Sequence, residues 1–339
     1  SPDSAKFDGM PRSAISTGQV DYVAPIDDLP KELIAYVNHV PRLREEISES
    51  GDHPPGALQK ILRLLRTRTG HDFSLYKKST LYRRIEKRAG LHQIDGISEY
   101  AGYVEQNPEE MDALFRELLI GVTRFFRDPG AFEYLRDEVI PDLVKSAAQG
   151  GSIRAWTPAC STGEEAYSLA ILLRECLDRL RPNAGIKIQV FGTDIDERAI
   201  EVARKGLYTA NIEADVSPER LQGFFTQAES GYVVKKLIRE TVVFAPQNLT
   251  ADPPFTKMDM VSCRNLLIYF GPELQRKVLP IFHHALNPNG ILFLGTAEGI
   301  GSLDELFLTI DSRRKVFRRK ETVATHTRLM EIPFRAPFA

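Results

Sequence analysis

From about residue 131 onward the sequence alternates short apolar runs with amphipathic stretches, and this rhythm restricts the possible folds more than any other feature. Short strands separated by helices are typical of a parallel sheet with helices on both faces. We therefore predict a doubly wound α/β domain over residues 129–320. Its predicted strands are 153–159, 187–194, 241–246, 258–263 and 290–295, and its predicted helices are 164–180, 196–206 and 272–286.

The region before this domain has a helical period. Apolar residues recur three and four positions apart from Leu58 to Leu65, and the pattern continues through Leu81 and Ile85. Glycines and one proline divide the pattern into short helices, as breakers do. We predict a small all-helical domain over residues 57–128.

The remaining segments lie inside the sheet domain and at the two ends of the chain. Between residues 206 and 240 the strand–helix rhythm stretches, and GYVVKK (231–236) reads as a hairpin strand, so we predict a small inserted antiparallel subdomain. Residues 1–56 hold seven of the 21 prolines, with one amphipathic helix predicted at about 29–40 and a linker at HPPG (53–56). The stretch 321–339 reads as a tail that leads into a further module.

Composition excludes several classes of protein. Hydrophobic residues make up 42% and charged residues 27% of the 339, which is typical of a soluble globular chain. No apolar run is long enough for a membrane span, and we predict no membrane insertion. The three cysteines form no disulfide framework or metal-ligand spacing, so we predict a cytoplasmic protein without a metal site.

Charge is unevenly distributed, although the formal net charge is only −2. Residues 59–91 contain ten Lys or Arg against two acids, a net charge of +8, whereas residues 92–118 carry −6. A solvated helix face and a surface that binds an acidic partner are both open interpretations. Because no nucleic-acid-binding module accompanies the basic segment, we do not predict a nucleic-acid partner.

Ligands of doubly wound sheets bind beyond the carboxyl ends of the strands, so the turns that follow the strands are the candidate sites. ACSTGEE (159–165) contains a single glycine, which argues against a dinucleotide phosphate loop. Ser161 and Glu164 match a capping box at the next helix. Glu165 is not needed for that box, and its carboxylate suits a ligand amine or sulfonium.

The turn TDID (193–196) holds two acids after the second strand. Asp196 is explained as the N-cap of the next helix. Asp194 has no capping role and is a candidate to accept the ribose hydroxyls of an adenosine cofactor, with a simple turn residue as the alternative interpretation. This signal does not separate a nicotinamide cofactor from S-adenosylmethionine.

Two more segments carry polar residues close to predicted strand ends. GVTRFFRD (121–128) places Phe125 and Phe126 between arginines, which indicates either a ligand-facing turn or aromatics that dock one domain on another. CRNLLIYF (263–270) follows the fourth strand, and its polar residues are candidates for catalysis or for ordinary surface and capping positions.

Taken together, seven motifs resemble the CheR-type chemotaxis receptor methyltransferases. They occur in the family's order over about residues 57–320: LYRRIEKRAG (81–90), VTRFFRD (122–128), ACSTGEEAYSLA (159–170), FGTDID (191–196), FAPQNL (244–249), CRNLLIYF (263–270) and NPNGILFLG (287–295). Residues 4–23 also resemble the end of a CheB-type methylesterase, which implies a fragment of a CheB–CheR fusion without the esterase's catalytic residues.

The resemblance implies an all-helical N-terminal domain, a Rossmann-like methyltransferase sheet and a small antiparallel β subdomain. It implies S-adenosylmethionine as methyl donor, S-adenosylhomocysteine as product, and glutamate side chains of a methyl-accepting chemotaxis receptor or a related helical signalling protein as acceptors. The implied cofactor-binding residues are Thr123, Arg127, Glu165, Asp194, Asn248, Leu249, Arg264 and Asn265. Arg127 and Tyr269 are the implied catalytic residues, and Arg83, Arg84, Lys87 and Arg88 are the implied receptor-binding residues.

One position departs from the family pattern. The family often has Asn two residues before the Thr of the FFR motif, and here Gly121 stands there. An alternative function is therefore a docking module that keeps the fold and binds a signalling partner with weak or absent catalysis. A nucleotide-dependent oxidoreductase is a third hypothesis, disfavoured because the glycine fingerprint is missing.

Overall fold

The computed structural model describes residues 1–5, 8–16, 20, 23–34, 37 and 55–321. The chain divides into two compact units, residues 1–120 and 121–339. This division precedes the boundary drawn from the sequence at residue 128, so the GVTRFFRD segment belongs to the second unit. The sequence-based boundaries of the terminal segments stay predictions.

The first unit is helical, as predicted. Its helices are α1 Gly9–Ser16, α2 Pro55–Thr69, α3 Lys78–Leu91, α4 Ile97–Gln106 and α5 Pro108–Leu119. Apolar side chains from α2 to α5 form one buried core that includes Ile61, Leu81 and Tyr100. Pro55 and Gly56 of the predicted linker lie in the first turn of α2, and the rest of that linker is outside the described residues. Residues 29–34 are helical, and part of the predicted 29–40 helix is likewise outside them.

The second unit is built on a seven-stranded sheet. Its strands are β1 Ser152–Pro158, β2 Lys187–Asp194, β6 Val242–Pro246, β7 Met258–Cys263, β8 Leu286–Leu294, β9 Phe307–Asp311 and β10 Val316–Arg319, in the spatial order β6-β2-β1-β7-β8-β10-β9. The first five strands in this order are parallel, and all five match strands predicted from the sequence. β10 pairs antiparallel with β8 and with β9, so the sheet is mixed.

Helices of the second unit precede its strands or lie between them in the sequence, and some of their ends follow local capping signals. They are α6 Pro129–Tyr134, α7 Ile140–Ser146, α8 Glu164–Leu180, α9 Glu197–Lys205, α10 Pro218–Phe224, α11 Lys236–Arg239 and α12 Pro272–Ala285. Asp196 caps α9 as predicted, because its side chain accepts the N–H of Arg198 at 2.9 Å. Gly206 ends α9 in the left-handed conformation, at φ 60°, that glycine adopts without steric cost.

The insertion between β2 and β6 is an antiparallel sheet of three strands, as predicted. β3 Leu207–Tyr208, β4 Phe225–Ala228 and β5 Gly231–Val234 pair in the order β3-β5-β4. Only glycine fits at position 231, where φ is 142° and an added Cβ would lie 2.0 Å from the carbonyl oxygen of Tyr208. The hairpin therefore packs closely on β3.

Candidate functional site

The carboxyl ends of β1 and β2 are joined through the side chain of Asp194. One carboxylate oxygen accepts the N–H of Ser161 at 2.7 Å, and the other accepts the N–H of Asp196 at 2.9 Å. Burial raises the pKa of Asp194, although the backbone hydrogen bonds oppose this shift. Asp194 thus has a structural task that the sequence did not reveal, and its position at the end of β2 is the one predicted for it.

The predicted capping box at α8 is wrong. Gly163, with φ 94°, precedes the first helical residue, and it has no side chain to cap the helix. Ser161 lies two residues before this N-cap and donates its hydroxyl to the carbonyl oxygen of Gly121 at 3.0 Å. Glu164 instead accepts a hydrogen bond of 2.6 Å from the Thr162 hydroxyl. The box fails because the helix begins too late for Ser161 to reach its free N–H groups.

Glu165 projects from the first turn of α8 to the end of β7. Its carboxylate accepts the hydroxyl of Ser262 at 2.6 Å and lies 3.7 Å from the guanidinium of Arg264. Burial raises the pKa of Glu165, while Arg264 acts in the opposite direction. Ser262 was not identified from the sequence, because a serine at the end of a strand has many ordinary roles.

Arg264 carries a guanidinium that is completely buried. This group pairs with Asp128 at 2.6 Å and donates to the carbonyl oxygen of Arg127 at 2.9 Å. It also lies over the rings of Phe132 and Phe293. These contacts hold the segment before α6 against the end of β7, so the predicted pocket residue Arg264 also has a structural role.

The next residue, Asn265, adopts a left-handed backbone conformation with φ 63°. Its N–H donates to the carboxylate of Glu298 at 2.9 Å, and the same carboxylate accepts the N–H of Gly295 at 2.6 Å. The side-chain oxygen of Asn265 is buried and has no hydrogen-bond partner within the described ranges. A buried acceptor of this kind fits a ligand that supplies a donor.

Five of the ten residues other than glycine that have positive φ in the described part of the chain lie in these turns. Besides Asn265, they are Phe126, Asp128, Ala159 and Ser161. Such conformations are costly for residues other than glycine and often occur at functional sites. The turns that the sequence marked as candidates are therefore among those in which this strain is found.

The two predicted catalytic residues are half-buried. Arg127 donates to the carbonyl oxygen of Val122 at 3.0 Å. Tyr269 ends the 3-10 turn Leu267–Tyr269, and its hydroxyl makes no hydrogen bond to any residue that the structure describes. Thr123 is also half-buried. These side chains keep polar groups available for a ligand.

Asn248 and Leu249 follow β6 and are half-buried. The backbone N–H of Gln247 donates to the carbonyl oxygen of Asp194 at 2.9 Å, which attaches this turn to the end of β2. The side-chain oxygen of Asn248 accepts bonds from the N–H and the hydroxyl of Thr250. Asn248 therefore shapes its own turn, and its predicted role in cofactor binding stays a prediction.

The aromatic pair of the FFR motif belongs to the core of the second unit. Phe125 packs edge-on against Tyr208 and Phe225 of the inserted sheet, and Phe126 packs against Phe132. These contacts anchor the segment that carries Thr123 and Arg127.

Three of the four predicted receptor-binding residues are engaged inside the helical unit. Arg84 and Lys87 pair with Glu117, and Arg88 pairs with the buried Glu110. Arg83 is exposed and forms no ion pair within the part of the chain that the structure describes. The same holds for three other exposed cations, Arg63, Lys77 and Lys78. Internal pairing thus neutralises much of the +8 segment.

Membrane-spanning helices and metal clusters are both absent from the residues with described positions. None of the helices there is long and apolar enough to cross a membrane. No group of three or more His, Cys, Asp or Glu among those residues is arranged to hold a metal ion.

Comparison with known proteins assigns the family. The family model for "CheR methyltransferase, SAM binding domain" matches residues 121–316, and the model for "CheR methyltransferase, all-alpha domain" matches residues 56–119. This chain belongs to the CheR methyltransferase family. It is thus an S-adenosylmethionine-dependent methyltransferase of the CheR type, with a small helical domain and a methyltransferase sheet.

Curated relatives of the CheR family extend the match. A chemotaxis protein methyltransferase of Escherichia coli is 31% identical over 78% of this chain and 91% of its own. Chemotaxis protein methyltransferase 1 of Pseudomonas aeruginosa is 38% identical over 63% of this chain and 81% of its own. An uncharacterized 104.1 kDa protein of Rhodobacter capsulatus is 38% identical over 94% of this chain, which spans 35% of that relative's length.

Proposed function

We propose that this chain transfers the methyl group of S-adenosylmethionine to glutamate side-chain carboxylates of a chemotaxis receptor. The observation that carries the proposal is that the described carboxylates at the carboxyl edge of the sheet are engaged in hydrogen bonds or ion pairs. Asp194, Glu165 and Glu298 each accept hydrogen bonds, and Asp128 pairs with Arg264. These groups are engaged in holding the turns rather than placed as free general bases.

A methyl acceptor that is already ionised suits a site whose carboxylates are not placed as free general bases. A glutamate carboxylate has an ordinary pKa of about 4.3, so near neutral pH it attacks without losing a proton. Burial raises the pKa of the thiols of Cys160 and Cys263, which disfavours their ionisation and their use as nucleophiles or bases. Catalysis then depends on holding the acceptor oxygen in line with the methyl group and on excluding water.

The chain's own residues take the following roles in the proposal. Asp194 would hold the ribose, and Glu165 would face the positively charged end of the cofactor. Thr123, Asn248, Leu249, Arg264 and Asn265 would line the pocket, with the buried side-chain oxygen of Asn265 as a hydrogen-bond acceptor. Arg127 and Tyr269 would stand nearest the transferring methyl group, where Arg127 would orient the acceptor carboxylate. The bound cofactor supplies the activated methyl sulfonium.

The experiment is a methyl-transfer assay with the purified chain, S-adenosylmethionine labelled in its methyl group, and the cytoplasmic helical bundle of a chemotaxis receptor. Label should enter the bundle and be released as methanol by mild base, because carboxyl methyl esters are labile to alkali. The matched control is the same bundle with its acceptor glutamates replaced by aspartate.

The outcomes separate the alternatives. Base-stable label would exclude a carboxyl methyl ester and contradict the glutamate proposal. Binding of S-adenosylhomocysteine without any transfer to a panel of receptor bundles would favour the docking module instead.

Cellular context extends this proposal. The three cysteines are free and buried, which suits the cytoplasm. The Rhodobacter relative, almost three times as long, supports a place for this sequence within a longer multidomain protein, and the CheB-type resemblance of residues 4–23 supports a methylesterase domain before it. A test is to express the natural full-length gene product and to assay methylesterase and methyltransferase activities in one purified polypeptide.

A further inference from the structure

We propose that Glu298 is a positioning residue that sets cofactor affinity by holding the turn after β7, and Asn265 in particular, in its binding conformation. The inference rests on the proposed function, since it assigns Asn265 to the cofactor pocket. Glu298 lies in the turn after β8, outside the seven motifs of the sequence.

Glu298 is only 6% exposed, and its carboxylate is surrounded by backbone donors. It accepts the N–H of Gly295 at 2.6 Å, the N–H of Asn265 at 2.9 Å and the N–H of Ile268 at 3.3 Å. One carboxylate thus ties together the carboxyl ends of two neighbouring parallel strands, β7 and β8. Hydrogen bonds from backbone N–H groups to a buried carboxylate are among the stronger ones in proteins.

On the side of Gly295, this carboxylate is packed too closely for a side chain. A Cβ on Gly295 would lie 2.6 Å from the Glu298 carboxylate and 2.9 Å from the backbone nitrogen of Asn265. Any side chain at position 295 would separate the carboxylate from the turn. Gly295 and Glu298 are therefore both needed to hold the turn after β7, Cys263–Asn265, in place.

The hydrogen bond from Asn265 to Glu298 matters for two reasons: the backbone of Asn265 is strained, and its side-chain oxygen lacks a hydrogen-bond donor among the described residues. Its backbone has φ 63°, which an isolated turn would hold only weakly, and its buried side-chain oxygen has no partner in the described part of the chain. The bond from its N–H to Glu298 fixes the backbone in this state. The consequence is a preorganised acceptor, and preorganisation lowers the entropic cost of binding.

The test is calorimetric titration of S-adenosylhomocysteine into the purified chain and its Glu298→Gln variant. Glutamine keeps the size of the side chain but removes its charge and one acceptor oxygen. We expect the dissociation constant to rise about ten-fold or more, because bonds to a charged group contribute more than neutral ones.

A matched control separates positioning from general stability. Asp259 lies on the same strand, β7, near its opposite end, and accepts the N–H of Arg154 and the side-chain N–H of Asn287, each at 2.8 Å. Asp259→Asn should lower the unfolding temperature comparably and leave the dissociation constant unchanged. Equal weakening of binding by both variants would overturn the inference.

A double-mutant cycle tests whether Glu298 acts through Asn265. Asn265→Gly removes the side-chain acceptor and tolerates the positive φ, and it should weaken binding by itself. Adding Glu298→Gln to this variant should then change the dissociation constant by less than about two-fold. Fully additive effects would contradict the positioning role. Absence of binding by the unmodified chain would instead contradict the proposed function, so the two failures are distinguishable.

Discussion

Tyr269 offers a clean test of catalysis because its hydroxyl makes no hydrogen bond to the residues that the structure describes. Tyr269→Phe leaves no described group of the protein unpaired, so the unfolding temperature should stay the same. We expect methyl transfer to fall about ten-fold or more, as for a lost contact to the reacting atoms. Binding of S-adenosylhomocysteine should change little. Unchanged turnover with receptor would remove Tyr269 from the proposed mechanism.

Asp194 combines a structural and a binding role. Asp194→Ala should weaken binding of S-adenosylhomocysteine about ten- to a hundred-fold through loss of charge-assisted hydrogen bonds to the ribose. It should also lower stability, since the N–H groups of Ser161 and Asp196 lose their acceptor. Titration calorimetry measures the first effect and thermal unfolding the second. Glu197→Ala, an exposed change in the first turn of α9, is the control that should alter neither.

Glu165 makes stability depend on pH in a defined direction. Its folded-state pKa is raised by burial, so the ionised form costs stability at neutral pH, and this cost disappears as the pH falls through the folded-state pKa. Glu165→Gln should therefore be more stable than the unmodified chain near a pH of about 7.5, and the difference should shrink under mildly acidic conditions. Urea unfolding across this range measures it. A variant that is less stable at neutral pH would show that the contact with Arg264 outweighs burial.

Between helices, the buried carboxylate of Glu110 connects three elements of the first unit. It accepts the hydroxyl of Tyr100 on α4 at 2.5 Å, and it pairs with Arg88 of α3 and with His92 just after it. Burial alone would raise the pKa of Glu110, but the bonds from Arg88 and Tyr100 hold it below the ordinary value. Arg88, one of the implied receptor-binding residues, thus also helps to pack α3 on α5.

We expect Glu110→Gln to destabilise the chain by about 3 kcal/mol, because it leaves the partly buried Arg88 without its counter-charge. Urea unfolding followed by circular dichroism measures this change. Glu109→Gln, an exposed change one residue earlier, is the matched control. A loss similar to that of the control would show that Glu110 contributes little to the packing of these helices.

Helices and strands were predictable where the local sequence pattern matches the burial of the element in the folded chain. The five parallel strands are largely buried and read as apolar runs, and Asp196 and Gly206 mark the ends of α9. β9 and β10 were not identified, because they are short and contain exposed or half-buried polar residues. The capping box at Ser161 failed because a matching S-x-x-E spacing does not determine where the helix starts.

At the scale of the molecule, the basic segment 59–91 is balanced by ion pairs between helices of the first unit, such as Arg68 with Asp112 and Arg84 with Glu117. We expect receptor methylation to fall as ionic strength rises, because exposed charges are screened by salt. Arg83→Ala should lower the methylation rate at low salt and reduce this salt dependence without lowering stability. Rates with receptor at two salt concentrations measure both effects. Equal rates for the two proteins at low salt would contradict a role for Arg83.

Local patterns in the sequence were sufficient to predict the helical first unit and the parallel part of the sheet, and its motifs were sufficient to recognise the family. These features follow from apolar periodicity and from motif spacing, and both can be read directly along the sequence. Which charged residues form ion pairs or hydrogen bonds became visible only in the folded chain, because Glu110, Arg264 and Glu298 contact partners far away in the sequence. Pairing between distant residues depends on how the elements pack, and no local pattern encodes it.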